Sequence, residues 1–211
     1  MYDLPYFKED SFDEVYSFMC QHPFVFISGL DVNNKPVATQ IPVLIKKGED
    51  KILLQGHMMR KQNHHIAFEK NNQVLAAFIG PQAYVSATCY TNQQTASTWN
   101  YMTVHAHGEI IFKDEMFLRK FLDELTYQFE NNNESVSLYK NLPDDYITPM
   151  LNAIVGFEIE VKKLEHVFKL SQNKDEISYN KIISFLSSSK DSDAHKLATE
   201  MQKRKNKLFN S

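Results

Sequence analysis

Apolar residues recur along this chain with two different periods, and the switches between them outline its elements. Ser11 to Glu14 has the S-x-x-E spacing of a capping box, and Phe12, Val15, Tyr16 and Met19 follow at i, i+3, i+4 and i+7. That pattern predicts an amphipathic helix ended by His22-Pro23. FVFISGL (24–30) predicts a strand and DVNNK (31–35) a turn. From Val37 to Ile45 the period is two. Val37, Thr39, Ile41, Val43 and Ile45 share one face, and Ala38, Gln40, Pro42 and Leu44 the other, with Pro42 marking an edge or a bulge. A second polar turn, KKGEDK (46–51), leads to the strand ILLQG (52–56). Strands joined by short turns predict a β-meander rather than alternating βαβ units.

His57 to Lys70 is polar and reads as a helix anchored by Ile66, Ala67 and Phe68. Val74–Ile79 reads as a buried strand closed by Gly80-Pro81, and Thr91–Ser97 as a loop. The long run Asn100–Phe112 divides into two faces. Met102, Val104, Ala106, Gly108 and Ile110 form an apolar one; Tyr101, Thr103, His105, His107 and Glu109 form a polar one. Asp114 caps a helix carrying Phe117, Leu118, Phe121, Leu122, Leu125 and Phe129, and ENNNES (130–135) is a loop. Pro143 opens another helix with the stripe Ile147, Met150, Leu151 and Ile154, ended by Gly156. Phe157, Ile159 and Val161 then alternate in a half-exposed strand, and Glu165–Leu170 forms a further one. Two helices, Asp175–Ser187 and Asp191–Phe209, close the chain and are expected to pack less tightly. The sum is an α+β chain, an antiparallel barrel decorated with helices.

Composition narrows the function classes. The 211 residues include two cysteines, Cys20 and Cys89, with no paired spacing, so neither a zinc ribbon nor a thioredoxin site is supported. The N-terminus carries acids and no apolar h-region, and no apolar run approaches the ~18 residues a membrane span needs. A reduced, cytoplasmic protein without a membrane segment is expected. Net charge is −3, a poor footprint for a duplex DNA binder. From Lys190 onward six basic residues face three acidic ones, which makes that segment +3 and the remainder −6. Its KRKNK run (203–207) reads as a solvated last helical turn more readily than as a phosphate contact.

Three clusters carry candidate chemistry. Phe78–Gly108 gathers Trp99, Tyr84, Tyr90, Tyr101 and two histidines among small hydroxyl and amide side chains. It is either a pocket for a flat, polar-edged aromatic ligand or an aromatic core strand beside a polar loop. Within it, His105 and His107 share a strand face. With Glu109 or His57 they could hold a metal, but hydrogen-bonded histidines are the better reading, and no metal is expected. GHMMRKQNHH (56–65) puts Arg60, Lys61 and Asn63 where a strand gives way to a helix start, either an anion site or an ordinary solvated turn. KLSQN (169–173) is a turn whose side chains could bond a ring edge or a phosphate. No G-x-S-x-G, G-x-G-x-x-G or P-loop is present.

Taken together, GHMMRKQN (56–63), FIGPQAYVS (78–86), TWNYMTVHAHG (98–108) and IVGFEIEVKKLEHVFKLSQN (154–173) resemble the PaiB-like family of FMN-binding negative transcriptional regulators. The resemblance implies a split β-barrel related to pyridoxamine-phosphate-oxidase-like flavoproteins, paired as a homodimer with FMN at the barrel interface. It implies a split-barrel domain over 1–173 and a helical extension over 174–211 packed on it. It also implies site roles: Arg60 and Lys61 on the FMN phosphate with Asn63 beside them, and His57 near the ribityl chain. Thr103 and His105 would approach the ring edge, Trp99 and Asn100 would line the pocket, and Lys169 and Gln172 would reach across the dimer. Ala87 and Ser97 stand where the family pattern has proline, Cys89 where it has tryptophan, and Ala96 where it has valine. Two functions follow from the resemblance: a transcriptional regulator, or a flavin-dependent oxidoreductase acting on a small molecule with reduced nicotinamide or another donor. No helix-turn-helix pattern supports direct DNA contact, and no catalytic residue is singled out beyond the candidate proton donors Tyr101, His105 and His107.

Overall fold

The computed structural model describes residues 1–49, 51–92 and 94–209. Asp50 of the expected KKGEDK turn and Gln93 of the expected Thr91–Ser97 loop lie outside them. Helix α1 (Phe12–Gln21) starts where the capping box places it, with the Glu14 N–H donating to Ser11 Oγ at 3.3 Å. Strand β1 (Phe24–Leu30) pairs antiparallel with β2 (Pro36–Pro42), and the Asp31 carboxylate closes their turn by accepting from the Asn33 and Lys35 N–H groups. Strand β3 (Leu44–Lys47) pairs antiparallel with β4 (Ile52–Met59). Helix α2 (Asn63–Lys70) leads to β5 (Gln73–Val85), and β6 (Thr98–Phe112) follows. Helices α3 (Glu115–Glu130) and α4 (Asp144–Ala153) precede β7 (Ile154–Lys169), and α5 (Glu176–Ser187) and α6 (Ser192–Phe209) end the chain. The seven strands form one open antiparallel sheet in the order β2-β1-β5-β6-β7-β4-β3.

Several elements differ from the sequence expectation, each for a physical reason. The run Val37–Ile45 is not one strand and the region is not a meander. It breaks at Val43, whose N–H donates to the Pro23 carbonyl, and its halves β2 and β3 lie at opposite ends of the strand order. The break also changes which residue is buried, so that Leu44 rather than Ile45 enters the core. Residues 57–59 extend β4 instead of starting a helix, paired with Ile154–Gly156 of β7. Gly80-Pro81 does not close β5. β1 pairs only with Val74–Ala77, so Pro81 lies beyond that ladder and sacrifices no bond to it. Gly156 does not end α4 but lies inside β7, which runs unbroken where two strands were expected.

The chain divides into two compact units. Unit 1 comprises 1–18, 79–104 and 165–211. Its core includes Phe168 together with Tyr179, Ile182, Leu186, Leu197 and Met201 of α5 and α6, all fully buried. These two helices are therefore tightly packed, against expectation. The α6 faces carry the reason: the polar residues between Leu197 and Met201 hid a continuous apolar stripe. Unit 1 also ties its first residues down, since the Glu9 N–H donates to His166 Nε2 at 2.8 Å and Arg204 reaches the Glu9 carboxylate at 3.4 Å. Unit 2 comprises 19–78 and 105–164, with Leu44, Leu118, Phe121, Ile147, Leu151 and Ile154 packed together. In it Gly108 is required by close approach: a Cβ there would strike the Glu160 carbonyl oxygen and come within 2.9 Å of Ile159 Cγ2.

Replacing Gly108 by alanine should destabilise the fold by about 1–3 kcal/mol, the usual range for overpacking, read as a lowered denaturation midpoint; an unchanged midpoint contradicts the contact. Burial, with Lys8 nearby, holds the His166 imidazole below its ordinary value of 6.5. A depressed folded-state value means stability is full above pH 6.5 and falls as the pH drops below it, because the unfolded chain takes up the proton first. His166→Gln should flatten the stability loss between about pH 7 and 5 in urea titrations; an unaltered slope contradicts this.

Candidate functional site

In unit 2, cationic side chains and a helix start meet in a corner where β4 gives way to α2. The strand ends at Met59, and the Arg60 N–H is fixed by the Ala153 carbonyl at 2.8 Å. Lys61 then takes a left-handed conformation, φ 62°, which turns the chain sharply into α2. Gln62 occupies the N-cap in extended conformation, and no side chain caps the helix. The first helical hydrogen bond is Ile66 N–H to Gln62 O, so the amides of Asn63, His64 and His65 are those an α-helix leaves without an intrahelical acceptor. Arg60 and Lys61 stand beside them, and neither forms an ion pair with a carboxylate of the described residues. Two cations and an uncapped helix start are the donor set of a phosphate site.

The same unit presents a polar sheet face. Gln55 and His57 of β4 stand opposite Glu158 and Gly156 of β7, and Gln55 Nε2 donates to Glu158 Oε2 at 3.0 Å. Gly108 of β6 lies against the core-facing Ile159, which puts His105, His107 and Glu109 on the same side as His57. With β7 between them, β4 and β6 are about 10 Å apart. His57 rests on the Phe121 ring, with 5.7 Å between centroids, and its Nδ1 is buried without a hydrogen-bond partner. Burial lowers its pKa, so the neutral imidazole is favoured. The centroids of His105 and His107 lie 6.5 Å apart, and no group of three metal-ligating side chains occurs among the described residues.

Five of the expected site residues, His57, Arg60, Lys61, Asn63 and His105, belong to unit 2. Trp99, Asn100, Thr103, Lys169 and Gln172 belong to unit 1. There Trp99 is half exposed and meets Tyr84 edge-on at 6.1 Å. Thr103 stands on the polar side of β6, two residues before His105. Asn100 is fully buried, because the alternation that sends Met102 into the core sends Asn100 there too. Its Oδ1 accepts from Ser171 Oγ at 3.0 Å, and its Nδ2 donates to Met201 Sδ at 3.6 Å. Gln172 folds back on its own turn, donating to the Phe168 carbonyl and accepting from the Leu170 N–H. Lys169 Nζ donates to Thr98 Oγ1 at 2.6 Å. An aromatic group that the sequence reading does not anticipate surrounds two lysines, Tyr2 and Phe7 at Lys169 and Tyr90 at Lys174. Its signal was present in MYDLPYF, where three aromatics flank a proline that opens a short 3-10 turn, Pro5–Phe7.

Comparison with known proteins places this geometry in a family. Residues 1–163 match the family described as "Putative FMN-binding domain". The Bacillus subtilis protein named protease synthase and sporulation protein PAI 2 is 29% identical over 202 residues, spanning 96% of this chain and 97% of the relative. An uncharacterized Emericella nidulans protein, AN0679, is 29% identical over 150 residues, 64% of this chain and 60% of that one. Among solved structures, the FAD and heme binding protein of Mycobacterium smegmatis superposes with a TM-score of 0.54 at 14% identity, covering 76% of this chain and 72% of its own. The conserved hypothetical protein Rv2991 of Mycobacterium tuberculosis superposes with 0.53 at 12%, covering 80% and 91%. Identities this low establish the fold alone, an antiparallel split barrel with helices. The β4–α2 corner supplies donors suited to the FMN phosphate, and the orphaned His57 nitrogen is suited to a hydroxyl partner. The chain belongs to the FMN-binding domain family, of PaiB-like type, and its cofactor is FMN.

Proposed function

We propose that the chain acts as a homodimeric FMN-binding regulator, with the FMN phosphate on Arg60, Lys61 and the amides at the start of α2. The observation that carries this reading is the corner itself, two cations without carboxylate partners beside an uncapped helix start. His57 then faces the ribityl hydroxyls, and His105 of β6 faces the ring edge. Exposed apolar side chains on β1, Phe24 and Phe26, favour burial against a second copy. The regulatory role follows the Bacillus subtilis relative, whose name connects it with protease synthesis and sporulation. Direct DNA contact gains no support from α6, whose cations are engaged within unit 1. Lys203 pairs with Glu200 at 2.7 Å, Lys205 with Glu176 at 3.6 Å and Lys207 with Glu9 at 3.9 Å.

A second reading, FMN-dependent oxidoreduction of a small molecule, is favoured by Tyr101. Burial, with Tyr2 nearby, raises the pKa of its phenol, which keeps it a proton donor on the polar side of β6. The bound flavin would supply the hydride chemistry there. Steady oxidation of reduced nicotinamide by the purified protein would favour this reading over a purely regulatory one.

The purified protein should show the flavin visible band and a dimer mass in solution. Arg60→Ala should weaken FMN binding at least about tenfold, the worth of one charge-assisted hydrogen bond, without lowering the thermal midpoint of the flavin-free protein. Undiminished flavin in that variant contradicts the phosphate assignment, and a monomer mass contradicts the dimer.

A further inference from the structure

We propose that unit 1 carries a second binding site, for a small flat aromatic anion, in a cavity walled by Tyr2, Tyr6, Phe7 and Tyr90 and bearing the ammonium groups of Lys169 and Lys174. The cavity measures about 330 Å³, at the lower end of the range of small-molecule pockets, which suits a single ring with one polar substituent. It lies wholly within unit 1 and includes none of the residues proposed for the FMN phosphate; Lys169 is the one residue it shares with those that the resemblance implies for FMN.

The charge balance of the cavity selects an anion. None of its lining residues is acidic, and among the described residues neither lysine forms an ion pair with a carboxylate. The adjacent Asp175 is committed elsewhere, accepting from Ser178 Oγ at 2.7 Å and Thr91 Oγ1 at 2.8 Å. The two ammonium groups are instead held by rings. Lys174 Nζ lies 3.9 Å from the Tyr90 centroid, and Lys169 Nζ lies 5.6 Å from Tyr2 and 5.9 Å from Phe7. Burial and the neighbouring Lys174 lower the pKa of Lys169, a cost that a bound anion removes.

The walls select a ring. An inorganic anion would satisfy the ammonium groups but make no contact with the aromatic side chains that line the cavity. A neutral ring would fill the cavity but leave two like charges uncompensated.

The test is calorimetric titration of the full-length protein as purified, with 4-hydroxybenzoate as probe and flavin content followed by its visible band. Saturable binding at one site per chain is expected. Neutral 4-hydroxybenzamide should bind at least about tenfold more weakly, as should inorganic phosphate, and Lys174→Met should weaken the probe by a similar factor with flavin content and thermal midpoint unchanged. Phenyl phosphate run in parallel identifies the preferred anionic group, and the tighter of the two probes defines the ligand class. The proposal is overturned by no saturable binding of either probe up to about 5 mM, by equal binding of the amide, by unchanged affinity in Lys174→Met, or by release of flavin on adding the probe. Absence of flavin from the purified protein would contradict the FMN corner and leave this cavity's result standing.

Discussion

The period-two register of β6 is the constraint on which the rest of this protein depends. From Asn100 to Ile110 every second residue is buried, and every residue between them is only partly covered. A slip of one position would exchange Met102, Val104 and Ala106 for Thr103, His105 and His107, placing three polar side chains in the core. The register is fixed on both sides of the strand. Gly108 lets the Glu160 backbone approach where no side chain would fit, and Asn100 locks to Ser171 and Met201. The half-buried polar side is the consequence.

Charge is used differently in the two places proposed to take ligands and on α6. On α6 the cations meet carboxylates three or four residues away, on α5 or on the first residues of the chain. Among the described residues Arg60 and Lys61 at the β4–α2 corner have no such partners, and in the unit 1 cavity Lys169 and Lys174 meet rings, Lys169 with the Thr98 hydroxyl besides. A cation left without a carboxylate is costlier to keep where it is buried, and half-buried Lys169 has its pKa lowered by burial and by Lys174. The positions of cations in the sequence therefore said less about function than the positions of their missing partners.

Much of this was legible in the chain. The two faces of β6, the capping box before α1 and the Asp114 cap of α3 all rest on contacts within a few residues, and the structure shows each of them. The features that were not legible depend on partners far away in sequence. Pro81 looked like a strand end because its tolerance depends on where β1 stops pairing. Asn100 looked like a pocket residue because its partners, Ser171 and Met201, lie 71 and 101 positions away. The aromatic cavity was hidden for the same reason: Tyr2 and Lys169 meet only in the folded chain. At the corner, the residue types Arg60, Lys61 and Asn63 could be read directly, but the left-handed turn at Lys61 and the absence of a helix cap could not.

The central claim is that the β4–α2 corner holds the flavin by its phosphate. Titrating the flavin-free protein with FMN and with riboflavin, by quenching of flavin fluorescence, tests it most directly, since the two ligands differ only in that group. Two charge-assisted contacts predict that FMN binds about a hundredfold tighter or more. Equal affinities for the two flavins would contradict the claim.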